Sequence, residues 1–325
     1  MTIAIASHQR RDAVLRLLRV LDDQVRSDPV LGHDLEFVVV LDGSTDGSRE
    51  AVEAVTWQAP VRVHWQPNRG LAAARNVGLA AAEGGLIWFL DDDLIPSDGL
   101  LEHHRRAHTG SEPHVHVGPC KIPPGSGASP ALLAWWEEFF VDLEAGGITR
   151  FDRFTTANAS GPAHLFTDVG GFDESFVAYG LEDYELGVRL LGAGTTLAFD
   201  ADAVAWHPDI PPSSVLVGRQ RSLGLNAARL AGIHPALVDE LFPLGRVPAP
   251  RRLLRLLRLR TPRSLMAVSH IGMLVRFVAR PIHVGVSRKA EHLARSAAHA
   301  AGVAEGDPSL VLLARTLGQA PDVDA

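Results

Sequence analysis

Three consecutive carboxylates, Asp91, Asp92 and Asp93, follow the apolar run LIWFL at residues 86–90. Such a run is typical of a strand buried on both faces, and ligands of open α/β sheets bind beyond the carboxyl ends of the strands. Adjacent carboxylates repel one another, and a divalent cation removes that cost because Mg²⁺ and Mn²⁺ prefer carboxylate oxygens. The position therefore favours a metal–phosphate site over the alternatives, a solvated acidic turn or a helix N-cap.

Two further polar stretches lie where predicted elements begin or end. The apolar run LEFVVVL stops at Asp42, and the turn-forming residues 42–48 contain candidate N-caps for the helix that follows. Glu182 and Asp183 follow a glycine-containing turn at the start of a predicted helix, where the helix dipole favours acidic side chains. From the residues alone, this acidic pair is either a favourable first helical turn or a catalytic base with a partner.

The elements that would position these residues alternate along the first 210 residues, as in an α/β domain with a mostly parallel sheet. Strands are predicted at residues 2–6, 35–41, 61–65, 86–90, 115–118, 155–158, 196–199 and 203–206, and helices at 12–25, 71–82 and 184–191. Prolines close this domain near residue 212. We therefore predict an α/β domain over residues 1–212 and a helical, basic C-terminal extension over 213–325, whose tail is expected to fray.

Several other kinds of site are disfavoured by the sequence. The single cysteine, Cys120, excludes an internal disulfide and a multi-thiolate zinc site. The glycines at 192–194 follow a predicted helix and precede a strand, the reverse of a dinucleotide fingerprint. His103, His104 and His108 lack the H-E-x-x-H pattern of a zinc helix, so we expect them on a polar surface.

Five segments, in order, resemble the motifs of family 2 glycosyltransferases of the GT-A fold. IWFLDDDLIP resembles the family's D-x-D segment, VVVLDGSTDGS its nucleotide-binding turn, and NRGLAAARNVG its N-x-G…A-R-N-x-G stretch. VGGFDE, followed by GLEDYEL, resembles its GGFDE…ED acceptor-side motif, and DAVAWH ends in a histidine where many members have one. The match covers roughly residues 2–210 and implies the GT-A fold, a Rossmann-like, mostly parallel sheet flanked by helices.

The resemblance implies a pocket for a nucleotide sugar. Asp42, with Gly43 in the same turn, would accept hydrogen bonds from the nucleotide base, and Ser7 would line the base pocket. The sequence departs from the family at two places in this pocket. Residues 6–9 read ASHQ where the family often has P-x-Y-N, and Leu41 replaces one aspartate of a common double-Asp form.

The resemblance also implies how the donor phosphates and a metal ion are held. Arg75 would lie near the phosphates because a guanidinium suits phosphate geometry, the alternative being an exposed helix arginine. Asp93 would ligate Mn²⁺ or Mg²⁺ directly, and His207 would add an imidazole ligand. Asp91 would reach the ribose or the metal ion, and Asp92 belongs to the same nucleotide-sugar-binding segment.

The acceptor side would carry the catalytic base. A sugar hydroxyl is a poor nucleophile, and inversion at the anomeric carbon needs a base on the face opposite the departing diphosphate. By resemblance, Asp183 is that base and Glu182 positions the acceptor. Glu185 is expected only to pair with Arg189, four residues further along the helix.

These assignments predict a hexosyltransferase-like enzyme that moves a sugar from a nucleotide diphosphate sugar to a hydroxyl of a glycan, a lipid-linked glycan or a small natural product. One alternative is a nucleotidyltransferase that makes nucleotide sugars. The acidic pair at 182–183 and the lack of a glycine-rich triphosphate loop near the first strand argue against it. The other alternative is a non-catalytic sugar-binding protein of the same fold, and intact Asp42, Asp91, Asp93 and Asp183 argue against that.

Composition and charge bound the surroundings of the protein. The 325 residues are 46% apolar and 21% charged, as in an ordinary globular protein. No uninterrupted apolar run approaches the length of about 18 residues expected of a spanning helix. The sequence MTIAIA at the N-terminus predicts a strand rather than a secretory leader, so we expect a cytoplasmic protein.

The net charge of −7 conceals an asymmetry, because residues 219–290 carry 14 Lys and Arg but only 2 Asp and Glu. Within this segment, residues 251–260 read RRLLRLLRLR and place arginines opposite leucines on a helical wheel. Such a helix can lie on an anionic membrane at its inner face, or it can dock onto the acidic remainder of the chain. Because stacking aromatics are not interleaved with the arginines, we expect no nucleic-acid partner.

Overall fold

The computed structural model describes residues 1–110, 112–126, 128, 133, 136–137, 139–140, 143, 147–209, 213–237, 266, 297–303 and 305–306. The chain divides into two compact units, one formed by Met1–Val177 with Glu182–Ile210 and the other by Ala178–Leu181 with Pro211–Ala325. The basic helix at 251–260 and the fraying tail lie outside the described residues and stay predictions. Among the helices that are described, none has the length and apolarity needed to cross a membrane.

Strands and helices alternate through most of the described chain. The strands are β1 (Thr2–Ser7), β2 (Glu36–Asp42), β3 (Val61–Gln66), β4 (Leu86–Leu90), β5 (Ile95–Pro96), β6 (His114–Val117), β7 (Cys120–Lys121), β8 (Asn158–Pro162), β9 (Thr196–Phe199) and β10 (Ala205–Trp206). The helices are α1 (Arg11–Ser27), α2 (Ser48–Glu53), α3 (Leu71–Ala81), α4 (Leu100–Ala107), α5 (Ala163–Asp168), α6 (Glu182–Gly192) and α7 (Ser213–Ile233). The mixed α/β class with a mostly parallel sheet is confirmed.

Seven strands form the large sheet, in the order β3, β2, β1, β4, β8, β6, β9. β1 runs parallel to both β2 and β4, and β2 runs parallel to β3. β8 is antiparallel to β4 and to β6, so it separates the first four strands from the parallel pair β6 and β9. The carboxyl ends of β1, β2 and β4 therefore lie at one edge of the sheet.

The two faces of this sheet are covered by two apolar clusters. Trp88 and Leu90 of β4 pack into one cluster, whereas Ile87 and Phe89 pack into the other, because successive strand residues point to opposite faces. α1 covers the first face with apolar residues at helical spacing, among them the fully buried Leu17. A strand buried on both faces explains why the run LIWFL is apolar throughout.

A second, three-stranded sheet brings two distant chain segments together. β10 pairs antiparallel with β5, which begins two residues after Asp93, and parallel with β7. The residue after β10 is His207, whose amide donates to the Lys121 carbonyl at 2.8 Å. This small sheet is therefore what carries His207 towards the acidic turn after β4.

One strand lies three residues later than its prediction, at Asn158–Pro162 instead of 155–158. The predicted residues Thr155 and Thr156 use their hydroxyls to donate to the Asp183 carboxylate instead of forming a strand. The true strand contains Gly161 and a proline, which are poor strand formers, and it is held by pairing on both sides. Tertiary pairing thus outweighs local propensity at this position.

Candidate active site

Side chains from three parallel strands meet at one edge of the large sheet. β1 ends at Ser7, β2 ends at Asp42, and β4 ends at Leu90, directly before Asp91. From β1 the sheet continues through β2 and β3 on one side and through β4 on the other. Such a switch point opens a crevice at the carboxyl ends of the strands, where α/β proteins bind ligands.

The Asp42 carboxylate is only 5% exposed and is held by three donors of its own chain. Its Oδ1 accepts hydrogen bonds from Gln66 Nε2 at 2.7 Å and from the Arg69 amide at 2.8 Å. Its Oδ2 accepts one from the Gly70 amide at 2.9 Å. These bonds fix the loop that leads into α3, and a contact of Asp42 with a nucleotide base stays a prediction.

Ser7 is the last residue of β1, and Gly43 directly follows the last residue of the neighbouring strand β2. Ser7 is buried, and its Oγ has no hydrogen-bond partner among the described residues. Gly43 has φ +78°, and a Cβ at this position would lie 2.8 Å from Asn68 Cβ, so a larger residue does not fit. Both residues lie at the carboxyl ends of neighbouring strands, and their place in a base pocket stays a prediction.

Arg10 neutralises the acidic turn after β4, a role that the sequence analysis did not identify. Its Nη1 donates to Asp92 Oδ1 at 3.0 Å and to Asp93 Oδ2 at 2.5 Å. The available signal was its place in the chain, because a cation between β1 and α1 lies at the same sheet edge as the carboxylates. Charge balance at that edge could have identified it.

The small sheet places His207 beside Asp93. His207 Nε2 lies 3.4 Å from Asp93 Oδ2, and the His207 ring lies edge-on to Trp136 with 5.1 Å between the ring centroids. Both members of the pair are largely buried, with side-chain exposures of 11% and 13%. The structure therefore brings together two of the three predicted metal ligands.

Burial and charge act differently on the two carboxylates that Arg10 contacts. Burial raises the pKa of Asp92 to about 7, because the Arg10 guanidinium only partly offsets the loss of hydration. Burial also acts to raise the pKa of Asp93, but the His207 imidazole and the Arg10 guanidinium outweigh it and hold that pKa well below its usual range. Asp93 is therefore ionised at neutral pH and suited to contact a cation.

The donor set fits a divalent cation with two protein ligands. Asp93 Oδ2 and His207 Nε2 lie 3.4 Å apart, so a carboxylate and an imidazole would be available to hold one divalent cation. Close by, Asp92 Oδ2 is buried without a hydrogen-bond partner in the described chain. No three His, Cys, Asp or Glu side chains of the described residues are placed to hold an ion together. Phosphate oxygens and water would supply the remaining ligands, as is usual for Mg²⁺.

Arg75, on α3, is the centre of the second charge cluster. Its guanidinium donates to Asp91 Oδ1 at 2.8 Å, Glu182 Oε1 at 2.9 Å and Asp183 Oδ1 at 3.0 Å. It also lies 5.5 Å from the centroid of the Phe172 ring. Asp91 therefore contacts Arg75 and does not join the pair formed by Asp93 and His207. Arg75 itself is a buried ion-pair residue rather than an exposed helix arginine.

The two acidic residues that open α6 differ in exposure and surroundings. The Glu182 side chain is 5% exposed and that of Asp183 is 16% exposed. Burial and the neighbouring Asp183 charge raise the pKa of Glu182, against the influence of Arg75. Asp183 also accepts hydrogen bonds from the hydroxyls of Thr155 and Thr156. Asp183 is thus the better hydrogen-bonded and the more accessible of the two.

Asn76 links two of the segments on which the family resemblance rests. Its Nδ2 donates to the Phe172 carbonyl at 2.9 Å and to Glu174 Oε1 at 3.0 Å, and its Oδ1 accepts from the Phe172 amide at 2.8 Å. The neighbouring Gly171 has φ +70°, and a Cβ there would lie 2.7 Å from Asn76 Oδ1. The A-R-N stretch and the G-G-F-D-E stretch therefore depend on each other structurally.

The expectation of surface histidines is wrong for His104, which is fully buried. Its ring stacks on Trp88 at 4.1 Å between centroids, and its nitrogens lie 2.8 Å from Ser160 Oγ and 2.8 Å from Asn158 Oδ1. Burial also lowers the pKa of His108 to about 4. His104 and His108 are therefore neutral groups in contact with Ser160 of β8. His103 is 38% exposed and lies 3.1 Å from Asp200 Oδ2, as expected of a surface histidine.

Comparison with known protein families adds to this geometry. Residues 2–144 match the model of glycosyl transferase family 2. The chain is 32% identical over 261 residues to validoxylamine A glucosyltransferase of Streptomyces hygroscopicus subsp. limoneus. This alignment covers 71% of this chain and 56% of the relative. It is 29% identical over 215 residues to pre-mycofactocin glycosyltransferase of Mycobacterium tuberculosis. This second alignment covers 64% of this chain and 44% of the relative. The chain thus spans about half the length of these relatives.

Solved structures share the fold. A mannosyltransferase from Pyrobaculum calidifontis, in complex with GDP-Man and Mn²⁺, superimposes with a TM-score of 0.62 at 18% identity, over 94% of this chain and 86% of that one. The TarS 1–349 structure from S. aureus, in complex with UDP, gives a TM-score of 0.50 at 16% identity, over 94% of this chain and 90% of that one. At these identities the likeness establishes the architecture alone.

Proposed function

The chain belongs to glycosyl transferase family 2, and we propose that it transfers a sugar from a nucleotide diphosphate sugar to an acceptor hydroxyl, with inversion at the anomeric carbon. The observation that carries this proposal is the buried Arg75 guanidinium. It contacts both Asp91, at the end of the donor-side strand, and Asp183, at the start of α6. A sugar donor bound at Asp91 and an acceptor bound at Asp183 would therefore lie within reach of each other.

The donor would lie in the crevice between β1 and β4. Ser7, Asp42 and Gly43 would line the base pocket, and Asp91 and Asp92 would face the ribose and phosphates. Support comes from the GDP-Man and UDP bound in the structures that share this fold.

A divalent cation, Mn²⁺ or Mg²⁺, would be held by Asp93 and His207. When bound, the cation would supply positive charge that stabilises the departing diphosphate. The two residues suit this role because their donor atoms are 3.4 Å apart and largely shielded from solvent.

Asp183 would act as general base on the acceptor hydroxyl. Its side chain is more exposed than that of Glu182, and a base must come within hydrogen-bond reach of the proton that it accepts. The hydroxyls of Thr155 and Thr156 would hold the carboxylate in one orientation. Glu182 would position the acceptor from its more buried place.

A small natural product with a free hydroxyl is the acceptor class that we propose. The similarity to validoxylamine A glucosyltransferase, which covers 71% of this chain, supports this class. A saccharide or a lipid-linked glycan would be recognised by the same hydroxyl chemistry, and an acceptor screen separates the three classes.

The test is donor hydrolysis without acceptor, because it identifies the donor independently of the acceptor. The protein is incubated with UDP-, GDP-, ADP- and dTDP-sugars, with Mn²⁺, with Mg²⁺ or with EDTA, and the released nucleoside diphosphate is measured. We expect hydrolysis of one donor class, dependent on the cation. Donor binding without turnover in any acceptor screen would favour the non-catalytic alternative, and full activity in EDTA would exclude a metal-assisted reaction.

The stereochemistry is tested once an acceptor is found. NMR of the first product formed from an α-linked donor should show a β-linkage. A retained α-linkage would contradict the assignment of Asp183 as the base of an inverting reaction.

A further inference from the structure

The side chain of Arg10 contacts Asp92 and also Asp93, which is a proposed ligand of the divalent cation. It donates to Asp93 Oδ2 at 2.5 Å, and the same oxygen lies 3.4 Å from His207 Nε2. It also donates to Asp92 Oδ1 at 3.0 Å. The guanidinium and a cation bound between Asp93 and His207 would therefore need the same carboxylate oxygen.

The electrostatics of this turn make the competition strong. Three consecutive carboxylates at one sheet edge need positive charge, and Arg75 serves Asp91 while Arg10 serves the other two. A cation that binds while Arg10 stays in place brings two positive charges to one oxygen, and like charges at such a distance repel. Binding of the cation is therefore favoured when Arg10 moves away.

Arg10 can leave without disturbing the fold. Its side chain is 40% exposed, so solvent can receive the guanidinium. Its backbone is held separately, since its carbonyl accepts the amides of Ala13 and Val14 at the start of α1. Rotation of one long side chain is enough to free both carboxylates.

We propose that Arg10 is a built-in counterion of the acidic turn, which a divalent cation must displace, and that Arg10 thereby sets the metal affinity of the site. This inference rests on the proposed function, because it takes Asp93 and His207 as the ligands of the cation. The arginine keeps Asp92 and Asp93 neutralised while no cation is bound, and it keeps the affinity for the cation low until a donor adds its own phosphate ligands.

The experiment measures Mn²⁺ binding to the full chain without donor, by electron paramagnetic resonance of free Mn²⁺ at pH 8.0. Arg10→Gln should bind Mn²⁺ at least about tenfold more tightly than the wild type, a difference of about 1.4 kcal/mol, since the competing charge is gone. Arg10→Lys, which keeps a positive charge, should stay closer to the wild type. Arg11→Gln is the matched control, because Arg11 is the next residue and pairs with the exposed Asp12.

A merely structural role of Arg10 would not strengthen metal binding. Equal or weaker Mn²⁺ affinity in Arg10→Gln, with an unchanged circular dichroism spectrum, would overturn the counterion role alone. Asp93→Asn identifies the site, because binding there should be lost in this variant. If Mn²⁺ binds neither to the wild type nor to Arg10→Gln, or binds equally well to Asp93→Asn, the proposed metal site is wrong. The proposed role of Arg10 is then wrong as well.

Discussion

Replacement of Arg75 tests whether one guanidinium holds the two sides of the candidate site together. Arg75→Met keeps most of the apolar stem and removes the charge. Three carboxylates, Asp91, Glu182 and Asp183, then lose a donor that lies 2.8 to 3.0 Å away. The loss falls on a buried cluster, since the Arg75 side chain is 4% exposed and that of Glu182 is 5% exposed.

The expected cost follows from this burial. Removing one partner of a buried ion pair destabilises a protein by about 3–5 kcal/mol, because the remaining charge is left uncompensated. The cost does not triple with three partners, because the Asp91 side chain is only partly buried, with 34% of it exposed. In addition, burial has already raised the pKa of Asp91 and of Glu182, so these carboxyls can take up protons. We therefore expect a loss of about 3–5 kcal/mol at pH 8.

The loss of stability in Arg75→Met should be larger at high pH than at low pH. Without Arg75, the folded-state pKa values of Asp91 and Glu182 rise further above their unfolded values, so the penalty is present where these two groups are ionised. It should shrink as pH falls and the carboxyls bind protons. The free energy of unfolding in urea, followed by circular dichroism at pH 8.0 and pH 5.5, should therefore differ between wild type and variant mainly at pH 8.0.

Two further variants make the measurement specific. Glu182→Gln in the Arg75→Met background should restore part of the stability at pH 8.0, because it removes one uncompensated charge. Arg49→Met is the matched control, since Arg49 pairs with Glu53 at 3.5 Å on the exposed surface and should cost less than about 1 kcal/mol. A loss below about 1 kcal/mol in Arg75→Met, or a loss that does not change with pH, would refute a buried ion-pair centre at Arg75.

Four other outcomes are expected. Asp183→Asn should lower sugar transfer by about 10²–10⁴, the usual range for general base catalysis, while the affinity for a nucleoside diphosphate measured by calorimetry stays nearly unchanged. Asp93→Asn should weaken metal-dependent donor binding and lower donor turnover by orders of magnitude, and full turnover would exclude Asp93 as a ligand. Burial lowers the pKa of His116 from 6.5 to about 4, so the unfolded state binds more protons than the folded state between these pH values. The free energy of unfolding should therefore fall by about 3 kcal/mol as pH drops from 6.5 to 4. His116→Gln should make this fall smaller when unfolding is measured in urea. Gly118→Ala should destabilise the fold by more than about 1 kcal/mol, because its Cβ would lie 2.0 Å from the Ala203 carbonyl oxygen, and an unchanged melting temperature would contradict that packing.

Elements with a strong local pattern were predictable from the sequence. The run at 86–90 is β4 with the same bounds, and helix 71–82 ends within one residue of α3. The pair of Glu185 and Arg189, four residues apart on α6, is confirmed with Arg189 Nε donating to Glu185 Oε1 at 2.8 Å. Such features depend on periodicity and on neighbours in the chain, which the sequence displays directly.

The place of the candidate site was predictable for the same reason. A strand buried on both faces lies inside the sheet, between other strands. The carboxylates that follow β4 therefore had to lie beside the carboxyl ends of the neighbouring parallel strands. The charge partners of those carboxylates were not predictable. Arg10 and Asp92 are 82 residues apart in the chain, and Arg75 and Glu182 are 107 apart.

The sequence by itself determined the α/β class, the strand that carries Asp91 to Asp93, and the acidic pair that opens α6. Only the tertiary structure decided that Arg10 neutralises the acidic turn, that Arg75 joins Asp91 to Asp183, and that the small sheet places His207 beside Asp93. The physical reason is that a strand or helix follows from contacts between near neighbours in the chain. A long, flexible guanidinium instead pairs with whichever carboxylates the packing of distant elements brings within about 3 Å.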